Sequence, residues 1–258
     1  MRKIAALLLC LVLSAAAGPA AAEGSDRTYV TQKGTLIIGV TEFAPMDYRD
    51  ENGEWIGFDA DMARAFAAYL GVEAEFREIE WPDRFRELDE KNIDCLWNAM
   101  TLSEEAQTGM SCSKPYMYNA QMIVLPADKA SAYAGVEDMA SLTFAVKAGT
   151  VSETIVTKMG YRVKTLPGAE ETLAAVQTGE ADAAVIDYLV SAALVGKGKT
   201  FDDLVSFLPL NEEKYAVGFR KGSDLVGAAN LFLASSMKDG TMEEIAHIYN
   251  VFGTLFRE

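Results

Sequence analysis

An alternation of strand-like and helix-like segments constrains the fold of this chain more than any other feature. Short apolar runs that are typical of buried strands cover residues 35–41, 73–79, 93–98, 142–147, 161–165 and 183–187. Segments with a helical spacing of apolar residues begin at Asp59, Pro82, Val151 and Ala169, and two more cover residues 223–238 and 242–252. Asp59 is the predicted N-cap of its helix, because its side-chain oxygens suit the first free backbone N–H groups. The alternation predicts an α/β fold with mostly parallel sheets.

The first 22 residues have the pattern of an export signal. Arg2 and Lys3 precede an uncharged apolar run over residues 4–17, and Ala20-Ala21-Ala22 supplies the small residues of a cleavage site. The run is too short to favour an uncleaved membrane anchor. Cys10 lies inside it and is interpreted as part of its apolar core, not as a lipidated residue. The sequence therefore predicts a signal peptide over 1–22, cleaved near Ala22, and a periplasmic protein.

The charge balance and the single histidine exclude several classes of function. The 258 residues include 23 Lys and Arg against 38 Asp and Glu, a net charge of −15. Nucleic acids and anionic membrane surfaces select for basic patches, so neither is an expected partner. His247 is the one histidine, and the chain has no Cys-x-x-Cys pair. We therefore expect no metal site.

Two cysteines follow the signal peptide, and the sequence leaves their state open. Export permits a disulfide between Cys95 and Cys112. However, Cys95 lies in an apolar strand-like run, and Cys112 stands where a buried apolar residue would fit. Two packed free thiols are the favoured interpretation.

Two extended segments, near residues 121–126 and 208–215, mark where the chain would pass between domains. A domain that is entered and left through two such segments lies inserted within the other, and this geometry makes a hinge. We expect one lobe to comprise residues 23–124 and 212–258, and the other to comprise residues 125–211.

Eight short motifs occur in a characteristic order over residues 30–252. They are Gly57-Phe58-Asp59-Ala60-Asp61, Trp81, Ile93-Asp94, Met100-Thr101-Leu102-Ser103, Ser113-Lys114-Pro115-Tyr116, Lys147-Ala148-Gly149-Thr150, Ala181-Asp182-Ala183-Ala184-Val185-Ile186-Asp187 and Tyr215-Ala216-Val217-Gly218-Phe219-Arg220-Lys221. In order and spacing they resemble the bacterial extracellular solute-binding proteins of family 3, which serve ABC transporters of polar amino acids. The resemblance implies a type II periplasmic-binding-protein fold with two hinge strands. It also implies delivery of a small amine-bearing solute to a membrane permease, without catalysis and without a cofactor. We expect the mature protein to be a monomer.

The resemblance assigns the two charged ends of an amino-acid ligand. Asp187 ends an apolar strand, where a parallel sheet presents residues to a ligand crevice, and it matches the family's ammonium-binding acid. Its alternative role is to cap the helix that follows. Thr150 and Val151 belong to the strand–helix turn after Gly149, whose backbone N–H groups would contact the ligand carboxylate. Lys147 either adds a cation there or is solvated.

The remaining candidates match positions that surround the ligand in the family. Phe43 and Trp81 would place aromatic faces against it, an arrangement that attracts cations; packing in the core is the alternative. Asn98, Ala99 and Thr101 would supply backbone and hydroxyl contacts.

Ala106 is the departure from the family pattern that matters most. The family has at this position an arginine that grips the ligand carboxylate, and planar forked recognition belongs to Arg. Three interpretations remain open. Lys147 or the Gly149 turn compensates, the ligand is an amine without a carboxylate, or the protein no longer binds a transported ligand.

Two other functions compete with transport. A few proteins of this fold are dehydratases, but acid–base catalysis usually uses His, and His247 lies away from every motif. A sensory protein that presents its closed form to a receptor would use the same ligand-driven closure.

Overall fold

Two five-stranded sheets organise the structure. The computed structural model describes residues 25–256, so the predicted signal peptide lies outside the described residues. The strands are β1 (Thr35–Val40), β2 (Tyr48–Arg49), β3 (Trp55–Ile56), β4 (Glu73–Glu78), β5 (Cys95–Leu96), β6 (Ser111–Cys112), β7 (Met117–Asn119), β8 (Gln121–Pro126), β9 (Thr143–Lys147), β10 (Arg162–Leu166), β11 (Ala183–Asp187), β12 (Leu204–Pro209), β13 (Glu213–Tyr215) and β14 (Gly218–Phe219). The helices are α1 (Asp26–Lys33), α2 (Phe58–Leu70), α3 (Arg84–Asp89), α4 (Glu104–Gly109), α5 (Val151–Lys158), α6 (Ala169–Gln177), α7 (Tyr188–Leu194), α8 (Leu225–Asp239) and α9 (Thr241–Ile248). The predicted α/β class is confirmed.

Each sheet combines a parallel half with an antiparallel half. The first sheet has the order β4-β1-β5-β14-β6, and β1 runs parallel to both β4 and β5. The second has the order β10-β9-β11-β8-β12, and β9 runs parallel to both β10 and β11. The remaining pairs in both sheets are antiparallel. The expectation of mostly parallel sheets thus holds for the βαβ segments, because strands that arrive without a crossover helix are free to pair antiparallel.

An antiparallel ribbon lies where the chain passes between the sheets. It pairs β7 with β13 in the register Asn119↔Glu213 and Tyr215↔Met117. β8 begins two residues after β7 and belongs to the second sheet, whereas β14 follows β13 and belongs to the first. Both passages therefore lie side by side.

Helices cover both faces of each sheet, which keeps the apolar strands out of water. Buried residues of α2, α8 and α9 pack on one face of the first sheet around Trp97 and Phe66. Leu88 of α3 and Ala106 of α4 pack on its other face. In the second sheet, Leu173 of α6 and Val156 of α5 lie on opposite faces.

Helix α2 begins differently from the prediction. Gly57, not Asp59, is its N-cap, with φ 129°, and a Cβ there would lie 2.1 Å from the carbonyl oxygen of Met46. Only glycine fits this approach. The Asp59 side chain is instead fully buried and accepts hydrogen bonds from the Ala99 N–H at 2.6 Å and the Tyr116 hydroxyl at 2.8 Å. The predicted cap was wrong because a backbone contact distant in sequence sets where this helix starts.

The two cysteines after the signal peptide are free thiols, as the favoured interpretation expected. Cys95 pairs with Phe219 on one side of β14, and Cys112 pairs with Gly218 on its other side. Two strand spacings of about 4.8 Å therefore separate their backbones, more than a disulfide can span. Burial raises the pKa of the Cys95 thiol well above its usual value, which keeps it unreactive.

A buried ion cluster holds the N-terminal helix to the first sheet. Asp94 is fully buried and accepts from Lys33 Nζ at 2.6 Å and from the Ile37 N–H at 2.8 Å. Arg220 Nη2 lies 3.7 Å from Asp94 and 3.1 Å from Asp26. Removal of one member of such a cluster leaves buried charge without compensation.

We expect Asp94→Asn to lower the free energy of unfolding by about 3 kcal/mol, since Lys33 and Arg220 then lose their shared anion. Urea denaturation monitored by tryptophan fluorescence measures the change. Asp89→Asn, in the exposed last turn of α3, is the matched control. Equal unfolding midpoints for the two variants would contradict the structural role of the cluster.

Candidate functional site

A cleft of about 960 Å³ opens between the two sheets, beside the ribbon. Its walls include residues that follow the carboxyl ends of parallel strands in both sheets, namely β1 and β5 in the first and β9 and β11 in the second. Parallel sheets present ligand-binding groups at these ends. The volume lies at the upper end of the range for small-molecule pockets, ~300–1,000 Å³.

The structure brings all nine residues predicted from the sequence into this one cleft. They are Phe43, Trp81, Asn98, Ala99, Thr101, Lys147, Thr150, Val151 and Asp187. Their separate roles toward a ligand stay predictions, and the surroundings of each differ.

Asp187 both faces the cleft and caps a helix, so the two interpretations of this residue are compatible. Its Oδ1 accepts from the Leu189 N–H at 2.8 Å at the start of α7. Its Oδ2 accepts from Asn119 Nδ2 at 2.6 Å and from the Tyr215 hydroxyl. Burial of the carboxyl group, more than the nearby Glu213, raises the pKa of Asp187 to about 7. Among residues 25–256 its hydrogen-bond donors are all neutral, so the group has no positive partner in this part of the chain.

Glu213 is a second acid in the cleft, and sequence analysis missed it. It is 7% exposed, and its Oε2 accepts from Thr101 Oγ1 at 2.8 Å, Asn119 Nδ2 at 3.0 Å and Gln121 Nε2 at 2.9 Å. Asn211 Nδ2 donates to its Oε1 at 2.6 Å. These donors come from the first-sheet side, the ribbon and the second sheet. No short motif encodes such a hub, because its partners are up to 112 residues away in the chain.

The predicted carboxylate-binding turn is already engaged by an acid of the chain. The Gly149 N–H donates to Glu153 Oε2 at 2.6 Å, and Thr150 Oγ1 donates to the Lys147 carbonyl at 2.7 Å. Gly149 has φ 71°, a conformation that glycine adopts without strain. Burial lowers the pKa of Lys147, although Glu171 and Glu80 oppose the shift. The turn thus offers one partly buried cation and an N–H group that a ligand would have to share.

Asn98 and Ala99 form a rigid part of the cleft wall. The Asn98 side chain donates to the Thr41 carbonyl at 3.0 Å and to Asp47 Oδ2 at 2.7 Å, and it accepts from Thr41. Ala99 has φ 47°, which is uncommon for a residue with a side chain, and its N–H is held by Asp59. Asn98 therefore holds its neighbours in place with its side chain.

The aromatic wall contains an arginine that sequence analysis also missed. Arg84 lies over the Trp81 ring, with 5.1 Å from its guanidinium carbon to the ring centroid, and at 4.5 Å over Phe85. It donates to Glu105 Oε2 at 2.8 Å. Ala106 follows Glu105 and is buried in the same wall. The sequence signal for a cleft residue was weak, because an arginine near the start of a helix is usually solvated.

Residues 25–256 contain neither a candidate metal centre nor a candidate membrane span. No group of three or more potential metal ligands occurs in this part of the chain. No helix within these residues is long and apolar enough to cross a bilayer. His247 stacks on Phe252 at 4.0 Å between ring centroids, outside the cleft.

Comparison with known proteins gives relatives of two kinds. The L-cystine-binding protein TcyJ of Escherichia coli (strain K12) is 28% identical over 222 residues, 84% of this chain and 83% of that protein. The solved structure of an ancestral arginine-binding protein bound to arginine is 30% identical, covers 84% of this chain and 98% of its own, and has a TM-score of 0.75. The cyclohexadienyl dehydratase of Pseudomonas aeruginosa is 28% identical over 156 residues, 59% of this chain and 58% of that enzyme. Binding proteins and an enzyme therefore share this fold.

The family match covers most of the chain. The sequence model described as bacterial extracellular solute-binding proteins, family 3, matches residues 36–253. Its range spans both sheets, the ribbon and every predicted residue of the cleft. With its two lobes of type II periplasmic-binding-protein architecture, the chain belongs to the bacterial extracellular solute-binding proteins of family 3.

Proposed function

We propose that this protein binds a polar or basic α-amino acid in the cleft and delivers it to the permease of an ABC importer. The observation that carries the proposal is the half-buried Asp187 carboxylate at the end of β11. Among residues 25–256 no lysine or arginine forms an ion pair with it, so a ligand ammonium would supply the missing charge. The cystine-binding and arginine-binding relatives support an amino acid as the ligand.

The opposite pole of the ligand is negative, and the cleft offers donors for it. Lys147, the N-terminal turn of α5 and Arg84 all lie on the cleft walls. A free amino acid places its ammonium and carboxylate on one carbon, so both poles must be met within a few ångströms. An amine without a carboxylate would leave these donors unused.

The hinge is proposed close to the boundaries expected from the sequence, with one shift. Because β8 pairs with β11 and β12 over its whole length, residues 121–124 go with the second lobe, which then comprises residues 121–211, and residues 23–120 and 212–258 make up the other lobe. The adjacent antiparallel strands β7 and β13 support this division, because two passages that lie side by side allow the sheets to close over a ligand with few backbone changes. Cleavage near Ala22 would release a monomer into the periplasm. A permease gene beside this one would favour transport over sensing.

Asp187→Asn is expected to weaken the binding of a recognised amino acid about 10- to 100-fold, since hydrogen bonds to charged groups contribute ~1.5–3 kcal/mol. Isothermal titration calorimetry with L-arginine, L-histidine, L-glutamine and L-cystine measures this. A thermal-shift screen identifies which of them binds, because a ligand at 100 times its Kd stabilises by ~2.7 kcal/mol.

Asp202→Asn is the matched control, as Asp202 is exposed in a turn of the same lobe and does not line the cleft. It should bind like the original protein. Unchanged affinity in Asp187→Asn would show that the ammonium is held elsewhere.

Binding is also expected to release a proton near neutral pH. The unliganded Asp187 has a pKa of about 7, and an ammonium requires its ionised form, so binding lowers this pKa. Affinity should rise about tenfold from pH 6 to pH 8, as the competent fraction of the protein increases. At pH 7 about half a proton should leave per ligand bound.

Titrations in phosphate and in Tris, which differ in heat of ionisation, count the protons released. Glu213 and Tyr215 also face Asp187, and Asp59 has a pKa of about 7 behind the cleft wall. Asp187→Asn separates these contributions, since it should abolish the release. A release that persists in this variant would assign the proton to another group.

A dehydratase activity is the second candidate function, since an acid with a pKa near 7 suits proton transfer. The dehydratase relative is similar over 59% of this chain. We propose binding without turnover. Asn119 and Tyr215 both donate to Asp187 Oδ2, and these two hydrogen bonds fix the carboxylate in place as a charge for binding a cation. Incubation with prephenate and related cyclohexadienyl acids should yield no product by ultraviolet absorbance; turnover that Asp187→Asn abolishes would establish the enzyme instead.

A further inference from the structure

We propose that Arg84 receives the ligand carboxylate, and that Glu105 occupies Arg84 until the ligand displaces it. The inference rests on the proposed function, and it names the residue that does the work of the arginine absent at position 106. It also distinguishes an amino acid from a neutral derivative of the same shape.

Arg84 is placed and desolvated like a binding residue. It begins α3, is 7% exposed and lines the cleft. Among residues 25–256 it is the one arginine on the cleft walls. Arginines are rarely buried unless paired, so an anion at this place is required whether or not a ligand is bound.

The guanidinium is held in a fixed plane and still has donors available. It contacts the rings of Trp81 and Phe85, and Nη1 donates to the Trp81 carbonyl at 2.9 Å. Nη2 donates to Glu105 at 2.8 Å. Arginine has five N–H groups, so three are left without a described hydrogen bond. A stacked guanidinium with free donors is suited to forked recognition of a carboxylate.

Glu105 is a weakly held partner for so buried a cation. The side chain of Arg84 is 8% exposed, whereas that of Glu105 is 66% exposed. A carboxylate that is mostly in water gains little from a single ion pair and regains full hydration when it leaves. An incoming carboxylate that the cleft desolvates would replace it without leaving Arg84 unpaired.

The position of Glu105 explains how an alanine is tolerated at 106. Ala106 is buried in the same wall, and its N–H is capped by Ser103 Oγ at 3.1 Å. Its small side chain leaves the space beside Glu105 to the guanidinium that arrives from α3. In this cleft the guanidinium is therefore supplied by α3 and not by α4.

The test measures binding of two amino acids and their amides, which keep the size and the ammonium but lose the carboxylate charge. The probes are L-arginine and L-cystine against L-argininamide and L-cystine diamide, by calorimetry. Arg84→Gln should weaken the better-bound amino acid about 10- to 100-fold and change its amide by less than threefold. Arg84→Lys should recover part of the loss, because it restores charge but not the fork.

Glu105→Gln should change the affinity in the opposite direction. Loss of the internal competitor should tighten amino-acid binding about two- to fivefold. Glu104→Gln removes a negative charge one residue earlier in the chain. It should change the Kd by less than Glu105→Gln does. Tighter binding is a result that no general damage to the fold would produce, so it remains decisive if Arg84→Gln folds poorly.

The outcomes separate this inference from the function on which it rests. If the original protein binds none of L-arginine, L-histidine, L-glutamine and L-cystine, the proposed amino-acid function is contradicted, and the amides serve only to test Arg84. If it binds an amino acid and Arg84→Gln binds it equally well, only the role of Arg84 is overturned. Loss of the amino acid in Lys147→Gln but not in Arg84→Gln would place the carboxylate at the turn after β9. Equal gains in Glu104→Gln and Glu105→Gln would overturn the displacement.

Discussion

The carboxylate of Glu213 ties the ribbon to residues of both sheets. It lies on ribbon strand β13 and accepts from Thr101 on the first-sheet side and from Gln121 at the start of the second sheet. A buried acid with several donors is stable only while they stay in place. The proposed hinge is therefore a bonded junction, and the proposed closure would have to turn about this carboxylate without breaking its contacts.

The hydrogen bonds of Glu213 also affect the charge of the cleft. Asn119 donates to both Glu213 and Asp187, so two acids share one amide within the cleft. Their mutual repulsion adds to burial in raising the pKa of Asp187. A cation that entered the cleft would relieve this repulsion, so the proposed binding would be coupled to the proposed closure. A second pair of buried acids, Asp47 and Asp59, lies behind the opposite wall and fixes the strained segment at Asn98 and Ala99.

Local signals predicted most of the fold, and non-local contacts account for what they missed. The apolar run that ends at Asp187 gave its strand and its position at the cleft, because strand ends are encoded within a few residues. Asp59 was assigned to a cap because a short acid before a helix usually caps it, yet the close approach of Gly57 to Met46 moved the start of the helix. Glu213 and Arg84 were missed for a related reason. The role of Glu213 depends on contacts with Thr101, Asn119 and Gln121, and the role of Arg84 depends on its contact with Glu105. These partners come together only in the folded chain.

The unliganded cleft is balanced by charges of the chain itself, and this determines which solute it can select. Arg84 is paired with Glu105, and the Gly149 N–H is engaged by Glu153, so both donor sites already hold a carboxylate. Asp187 and Glu213, by contrast, form no ion pair with a lysine or arginine among the described residues. A simple amine would satisfy Asp187 but add nothing at the donor sites. A simple acid would displace Glu105 or Glu153 but leave Asp187 uncompensated. Only a solute with both charges close together brings a cation to Asp187 and, at the same time, a carboxylate that can replace Glu105 or Glu153, and this supports the proposed zwitterion over either ion alone.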